Sequence, residues 1–223
     1  MLESKELKGS LVRKEKKIVS LCEGKSVLHL GCADYPFGKE QYRNGNLLHQ
    51  KIANITDDLI GVDLSTEGIA WLASLGYKNL LVGNVEKLNE LEIKRQFEVI
   101  VAGELLEHLS NPGMFLSNVK SLMEDDGILI ITVPNAHAIK SFVRVLLFRK
   151  ELIHPDHVYY FSQATIEHLC KRYELKIKET FYYVTTPLNV TKRFIFLVPY
   201  VFMKYLSLYV GDGIIFIMEK NNA

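Results

Sequence analysis

Short runs of apolar, often β-branched residues alternate along this chain with longer stretches whose apolar positions recur at helical spacing. SVLHL (26–30), LIGVDL (59–64), KNLLVG (78–83), FEVIVA (97–102) and ILIITVP (128–134) are bounded by turn residues and predict buried strands. EGIAWLASLGY (67–77) and GMFLSNVKSLM (113–123) carry the 3.6-residue period and predict helices between them. Asp125-Asp126-Gly127 predicts a turn before the fifth strand. Ser162 predicts the N-cap of a helix over 163–172, with a sixth strand near 175–185. IIFIM (214–218), after Gly211-Asp212-Gly213, predicts a seventh. Leu7, Leu11, Ile18 and Leu21 predict a helix within residues 1–22 that covers the edge or mouth of the sheet. Strands alternating with helices imply βαβ units. The expected fold class is therefore α/β: a Rossmann-like, seven-stranded, mostly parallel sheet with helices on both faces, in one domain over 1–223.

Composition narrows the function classes. Of the 223 residues, 48% are apolar and 24% charged, enough to bury one core without staples. The net charge of +1 gives no global field toward nucleic acid, so none is expected as a partner. Cys22, Cys32 and Cys170 are widely spaced and form no metal or disulfide motif, which fits a reducing, cytoplasmic compartment. Met1–Glu6 lacks the apolar core of a signal peptide. Residues 194–210, FIFLVPYVFMKYLSLYV, fall short of the ~20 apolar residues a spanning helix needs. They read either as a buried helix or as a peripheral surface that rests on a membrane or grips a greasy substrate.

In open α/β sheets, ligands bind beyond the carboxyl ends of the strands, and four strand ends here carry suggestive residues. His29-Leu30-Gly31-Cys32-Ala33-Asp34 offers a glycine where backbone can approach a ligand. Asp63, before Leu64, offers two acceptor oxygens to a ribose diol. Asn84 and Val85 can face an adenine edge, and Gly103 leaves room beside a cofactor. A dinucleotide would want G-x-G-x-x-G after the first strand, but residues 31–36 read GCADYP.

VLHLGCADYPFG, LIGVDLS, LLVGNVEKL and FEVIVAGELLEHLSNPGMFLSNVKSLMEDDGILIITVPNAHA together resemble motifs I to V of class I S-adenosylmethionine-dependent methyltransferases. The resemblance runs from about Val27 to Phe161. It is greatest to the branch with E-x-x-E-H-L after the fourth strand and T-x-P-N after the fifth, which includes ubiquinone-biosynthesis O-methyltransferases and small-molecule and sugar methyltransferases. It implies that Gly31 and Cys32 pass the methionine part of S-adenosylmethionine, Asp63 holds its ribose, Asn84 and Val85 face adenine, and Gly103 lies near the sulfonium. His29 stands where relatives have an acid for the cofactor's amino group, and Asp34 is the candidate substitute. Ala33 and Tyr35 replace glycines, and Asn84 replaces an aspartate.

Glu104, Glu107 and His108 sit at i, i+3 and i+4, on one face if 104–109 is helical. Plant small-RNA 2′-O-methyltransferases have a similar E-x-x-E-H stretch and add a later histidine to hold magnesium. That resemblance implies Mg²⁺ or Mn²⁺ on Glu104, Glu107, His108 and His157, with His154 as the substitute fourth ligand. The metal would lower the pKa of an acceptor oxygen. In the alternative, metal-free reading, His108 or His157 is the general base, and Glu104 completes the candidate catalytic set. The expected activity is O-methylation of a small molecule such as a sugar or phosphorylated intermediate of surface-polysaccharide synthesis. A lipid-linked acceptor and a non-catalytic cofactor-binding partner subunit are the alternatives. Residues 135–160 and 187–212 would wall the acceptor site, with the amphipathic stretch 139–153 as a lid.

Overall fold

The computed structural model describes residues 6–151, 153–185 and 208–221. Its sheet has eight strands: β1 (Ser10–Leu11), β2 (Val27–Leu30), β3 (Leu59–Asp63), β4 (Leu80–Val82), β5 (Phe97–Gly103), β6 (Met123–Pro134), β7 (Leu175–Tyr183) and β8 (Gly213–Lys220). Their order is β1-β7-β8-β6-β5-β2-β3-β4. All neighbours are parallel except β8, which is antiparallel to both β6 and β7. The α/β class and the mostly parallel sheet are as expected; the strand count is eight, not seven.

Strand alternation divides the core. On β5, Ile100 and Ala102 join Leu28, Leu129 and Ile131 on one face, under Phe115, Leu116 and Val119 of α5 (Pro112–Leu122) and Ile166 and Cys170 of α7 (Gln163–Arg172). Val99 and Val101 join Val27 and Ile130 on the other, under Ile18 and Cys22 of α1 (Lys14–Cys22) and Ile52 of α3 (Leu48–Ala53). A third cluster packs Ile69 and Leu72 of α4 (Thr66–Ser74) on Cys32, Ala33 and Leu47. The remaining helices are α2 (Gly38–Arg43) and α6 (Ile139–Phe148). Ser162 caps α7 in a reciprocal capping box with Thr165, as its position in the sequence predicts.

Two sequence expectations are corrected. Among the described residues of the leading segment the helix begins at Lys14; Ser10 and Leu11 pair in parallel with Phe181 and Tyr182 at the sheet edge, where open backbone groups outweigh a weak helical pattern. Asp125-Asp126-Gly127 is not a free turn before the strand but part of β6, where the register jumps between Phe97↔Met123 and Val99↔Ile128. A Cβ on Gly127 would sit 2.8 Å from the Phe97 carbonyl oxygen, so the irregularity needs glycine there. Most of 187–212 and of 194–210 lies outside the described residues; Leu208–Val210 forms a 3-10 turn. No helix among the described residues is long and apolar enough to cross a membrane.

Candidate active site

The carboxyl ends of β2, β3 and β5 meet at one rim. Gly31 leaves β2 with φ +75°, and its N–H donates to Val62 O at 2.8 Å, so the chain turns tightly with no side chain on the turn. Asp63, 8% exposed, accepts from Ala33 N–H at 2.8 Å on one carboxylate oxygen and from Ser65 N–H at 2.9 Å on the other. Each oxygen keeps acceptor capacity for a further donor, which suits a diol. Leu64 beside it is 70% exposed. Asn84 caps the 3-10 helix Val85–Glu90 through Glu86 N–H at 2.9 Å, while the Val85 side chain points into the core.

Cys32 presents its backbone here but not its thiol, which packs inward against Gly61; a Cβ on Gly61 would come within 2.8 Å of Cys32 Sγ. His29 also turns inward. It stacks on His49 with Nδ1 to Nδ1 at 3.2 Å, so one ring donates and the other accepts. Burial, then the neighbouring His49, holds His29 well below the usual imidazole range, and burial lowers His49 to about 4. Both rings are therefore neutral structural partners near pH 7. Sequence reasoning left His49 unused because nothing local pairs it with a residue 20 positions earlier.

Asp34 and Glu104 face the same rim, with φ +47° and +48°. Left-handed backbone is tolerated by aspartate and is strained for glutamate. Thr132 holds the Glu104 turn, its carbonyl and its Oγ1 each accepting from Glu104 N–H at 2.9 Å. Strain of this kind gathers at functional sites. Glu104 Oε1 accepts from Lys14 Nζ at 2.6 Å and from Tyr183 OH at 2.7 Å. Desolvation pushes this carboxyl up, but the Lys14 ammonium and the two hydrogen bonds outweigh it and hold it below the usual range. Asp34 rises to about 6, first through desolvation and then through the Glu104 charge. Lys14 and Tyr183 are site residues that the sequence did not reveal, since they are far apart in the chain and meet only in the fold.

Residues 104–109 do not form the helix on which a shared face depends. Only Leu106–His108 makes a 3-10 turn, and Glu104 points to Lys14 and Tyr183 instead. The turn brings His108 to His154 and His157, and one ring nitrogen from each lies within 4.8 Å of the others. Glu107 is fully buried behind them, with neither carboxylate oxygen hydrogen-bonded among the described residues. Its Oε1 is 4.0 Å from His157 Nε2. Burial pushes Glu107 up to about 8. Desolvation, then neighbouring imidazoles, lowers His108 and His157 below the usual range, leaving both neutral at pH 7.

Beyond the end of β6, Asn135 donates from Nδ2 to Tyr209 O and Gly211 O, both at 2.9 Å, tying the strand to the segment before β8. A cavity of about 610 Å³ opens beside it, lined by Ile139, Phe142 and Val145 of α6 with His137, Tyr160 and Val210. These fall within, or next to, the two stretches expected to wall an acceptor.

The sequence profile of a family described as "Methyltransferase domain" matches residues 10–180. The chain belongs to the class I S-adenosylmethionine-dependent methyltransferases. A ubiquinone biosynthesis O-methyltransferase of Rhodopseudomonas palustris (strain TIE-1) is 26% identical over 139 residues, covering 59% of this chain and 48% of that one. The chain thus spans about half the length of the curated relatives it matches. Among solved structures, an S-adenosylmethionine-dependent methyltransferase from Archaeoglobus fulgidus superposes with TM-score 0.60 at 17% identity, covering 93% and 91% of the two chains. Magnesium protoporphyrin IX methyltransferase from Synechocystis PCC 6803, solved with bound S-adenosylhomocysteine, gives 0.60 at 12% identity, covering 93% and 82%. These last two likenesses show the methyltransferase fold.

The rim suits the family's cofactor on its own chemistry. A side-chain-free turn at Gly31, a carboxylate at Asp63 with spare acceptor capacity, and acids at 34 and 104 match a ribose diol and a ligand carrying cationic groups.

Proposed function

We propose that this chain is an O-methyltransferase for a small acceptor with a largely apolar body. The observation that carries the reading is the sequence of groups along one side of the sheet. A cofactor rim at Gly31, Asp63 and Gly103 is followed by the imidazoles of His108 and His157, and α6 and Tyr160 line an apolar cavity beyond β6.

When bound, S-adenosylmethionine supplies a methyl group on a sulfonium. The rest falls to side chains. Asp63 binds the ribose hydroxyls, and Gly31 and Cys32 offer backbone to the methionine part. Asp34 attracts the cofactor's amino group, and Asn84 and Val85 border the adenine. Gly103, where a Cβ would meet nothing closer than 3.6 Å, leaves space at the reacting end. Methyl transfer is an in-line displacement, so positioning supplies most of the rate. A neutral imidazole, His108 or His157, takes the acceptor hydroxyl proton on a ring nitrogen. Glu104 orders the rim through Lys14 and Tyr183 rather than touching the acceptor.

The choice of acceptor follows the cavity. Ile139, Phe142 and Val145 favour a hydrocarbon or aromatic body over an unsubstituted sugar of polysaccharide synthesis. A lipid-linked acceptor is favoured further by α6, whose Phe142, Leu146, Leu147 and Phe148 are each at least 63% exposed. The similarity to ubiquinone biosynthesis O-methyltransferases supports oxygen as the methylated atom.

The test is transfer of tritiated methyl from S-adenosylmethionine to a panel of hydroxylated aromatics and sugars, each with and without an alkyl tail. Label should enter hydroxyl acceptors, tailed ones several-fold faster. Transfer confined to amine acceptors, or faster transfer to untailed sugars, contradicts the reading.

A further inference from the structure

We infer that His108, His154 and His157 form a three-imidazole site for a divalent transition metal of the zinc, cobalt and nickel class, with Glu107 as the carboxylate that orients one of its ligands. The cluster differs in position and chemistry from the oxygen-rich set that the sequence resemblance implies. Glu104 is held by Lys14 and Tyr183. What remains is a nitrogen donor set, and imidazole selects borderline transition metals where carboxylate and carbonyl oxygens select magnesium.

Geometry supports the assignment. Ring centroids lie 4.5 Å apart for His108 and His157, 5.2 Å for His154 and His157 and 5.6 Å for His108 and His154. A nitrogen–metal distance of about 2.1 Å puts tetrahedral ligand nitrogens about 3.4 Å apart. The three nitrogens, all within 4.8 Å of one another, are therefore about 1.4 Å or less from that spacing. Backbone already joins the pieces. His157 N–H donates to His154 O at 3.0 Å, and Val158 N–H donates to Glu107 O at 2.9 Å, which fixes the histidine loop against the 3-10 turn.

An independent observation comes from the acid behind the rings. A metal-bound imidazole commonly offers its other nitrogen to a carboxylate, which fixes the tautomer and raises ligand basicity. Glu107 Oε1 lies 4.0 Å from His157 Nε2, while Asp156 holds the His154 ring through its backbone, its N–H donating to Nδ1 at 3.3 Å. Glu107 is fully buried with both oxygens unpartnered among the described residues, an expensive arrangement for a carboxylate with nothing to face. A metal-bound His157 would offer its Nε2–H to this carboxyl. Three protein ligands leave a position open to water or an acceptor oxygen. That last role rests on the proposed function and would replace the imidazole base there, the metal lowering the pKa of the acceptor hydroxyl, whereas metal binding stands on the cluster alone.

The test is titration of Co²⁺ into the purified, tag-free full-length chain, read by visible d–d absorption, with Zn²⁺ and Mg²⁺ as competitors. Intense low-coordinate bands should appear at one equivalent, be displaced by stoichiometric Zn²⁺ and resist millimolar Mg²⁺. Combined His154→Ala and His157→Ala should abolish the bands. Glu107→Gln should weaken affinity 10- to 100-fold. His168→Ala, on an exposed helical surface, should change nothing. Binding of S-adenosylhomocysteine, measured on each variant, separates misfolding from loss of the metal site and also separates this proposal from the cofactor reading. Unaltered bands in the double histidine variant, or equal displacement by Mg²⁺, would overturn it.

Discussion

Two acids at the rim, Asp34 and Glu104, share a left-handed backbone but not a charge environment. Glu104 has Lys14 and Tyr183 as donors and stays ionised, whereas Asp34 lies in the field of Glu104 and Asp63 with only Lys14 to oppose them. The consequence for Asp34 has a definite sign. Its carboxyl titrates near 6 when folded against an ordinary value of 3.8. Below pH 4 both states are protonated and nothing is lost. As pH rises through the window between these values the unfolded chain ionises first, so the folded state is progressively disfavoured, and the full penalty persists above pH 6. Asp34→Asn should therefore raise Tm at pH 7 and give a gain that fades toward zero at pH 4. The same variant should weaken S-adenosylmethionine binding at pH 7, because an ionised Asp34 attracts the cationic amino group. Thermal melts at the two pH values check the first effect and calorimetry the second. A Tm difference independent of pH would show that the field at residue 34 has been misread.

The elements that position these acids were legible to different degrees. Short apolar, β-branched runs such as FEVIVA mark the buried β5, and Ser162 marks the start of α7, because in each case the physics is local. β1 was misleading in the sequence, since Leu11 falls in a weak helical spacing while Ser10 and Leu11 pair as a strand through their backbone. The i, i+3, i+4 spacing of Glu104, Glu107 and His108 suggested a shared helical face. The left-handed turn at Glu104, held by Thr132, defeats it, and that bond spans 28 residues. Likewise the contact of Tyr183 with Glu104 depends on Gly213 of the neighbouring strand, where a Cβ would enter the Tyr183 ring. Gly213→Ala should overpack this junction by about 1–3 kcal/mol, lowering Tm by roughly 2–12 °C for a chain of this size, and should displace Tyr183 from Glu104. A melt indistinguishable from that of the unaltered protein would mean that the ring is free to move aside.

Across the whole molecule, one sheet edge gathers everything with chemical potential. The strand ends supply backbone and carboxylates, the loop at 149–161 supplies histidines, and α6 with its exposed apolar residues stands over the acceptor cavity. The sequence disclosed the strand-end residues because each follows a strand whose boundaries it also disclosed. The resemblance also named His108 and His157 together, with His154 as a substitute, but the sequence could not disclose that His29 turns inward to His49, because that meeting depends on how the chain closes in three dimensions. The central claim is that the rim around Asp63 holds an adenosyl sulfonium. Titration calorimetry of the folded protein with S-adenosylhomocysteine tests it most directly. We expect saturable one-to-one binding, weakened at least tenfold in Asp63→Asn, where one oxygen becomes a donor facing backbone N–H groups. Absence of heat from the folded wild-type chain, or equal affinity in the two proteins, would contradict the account.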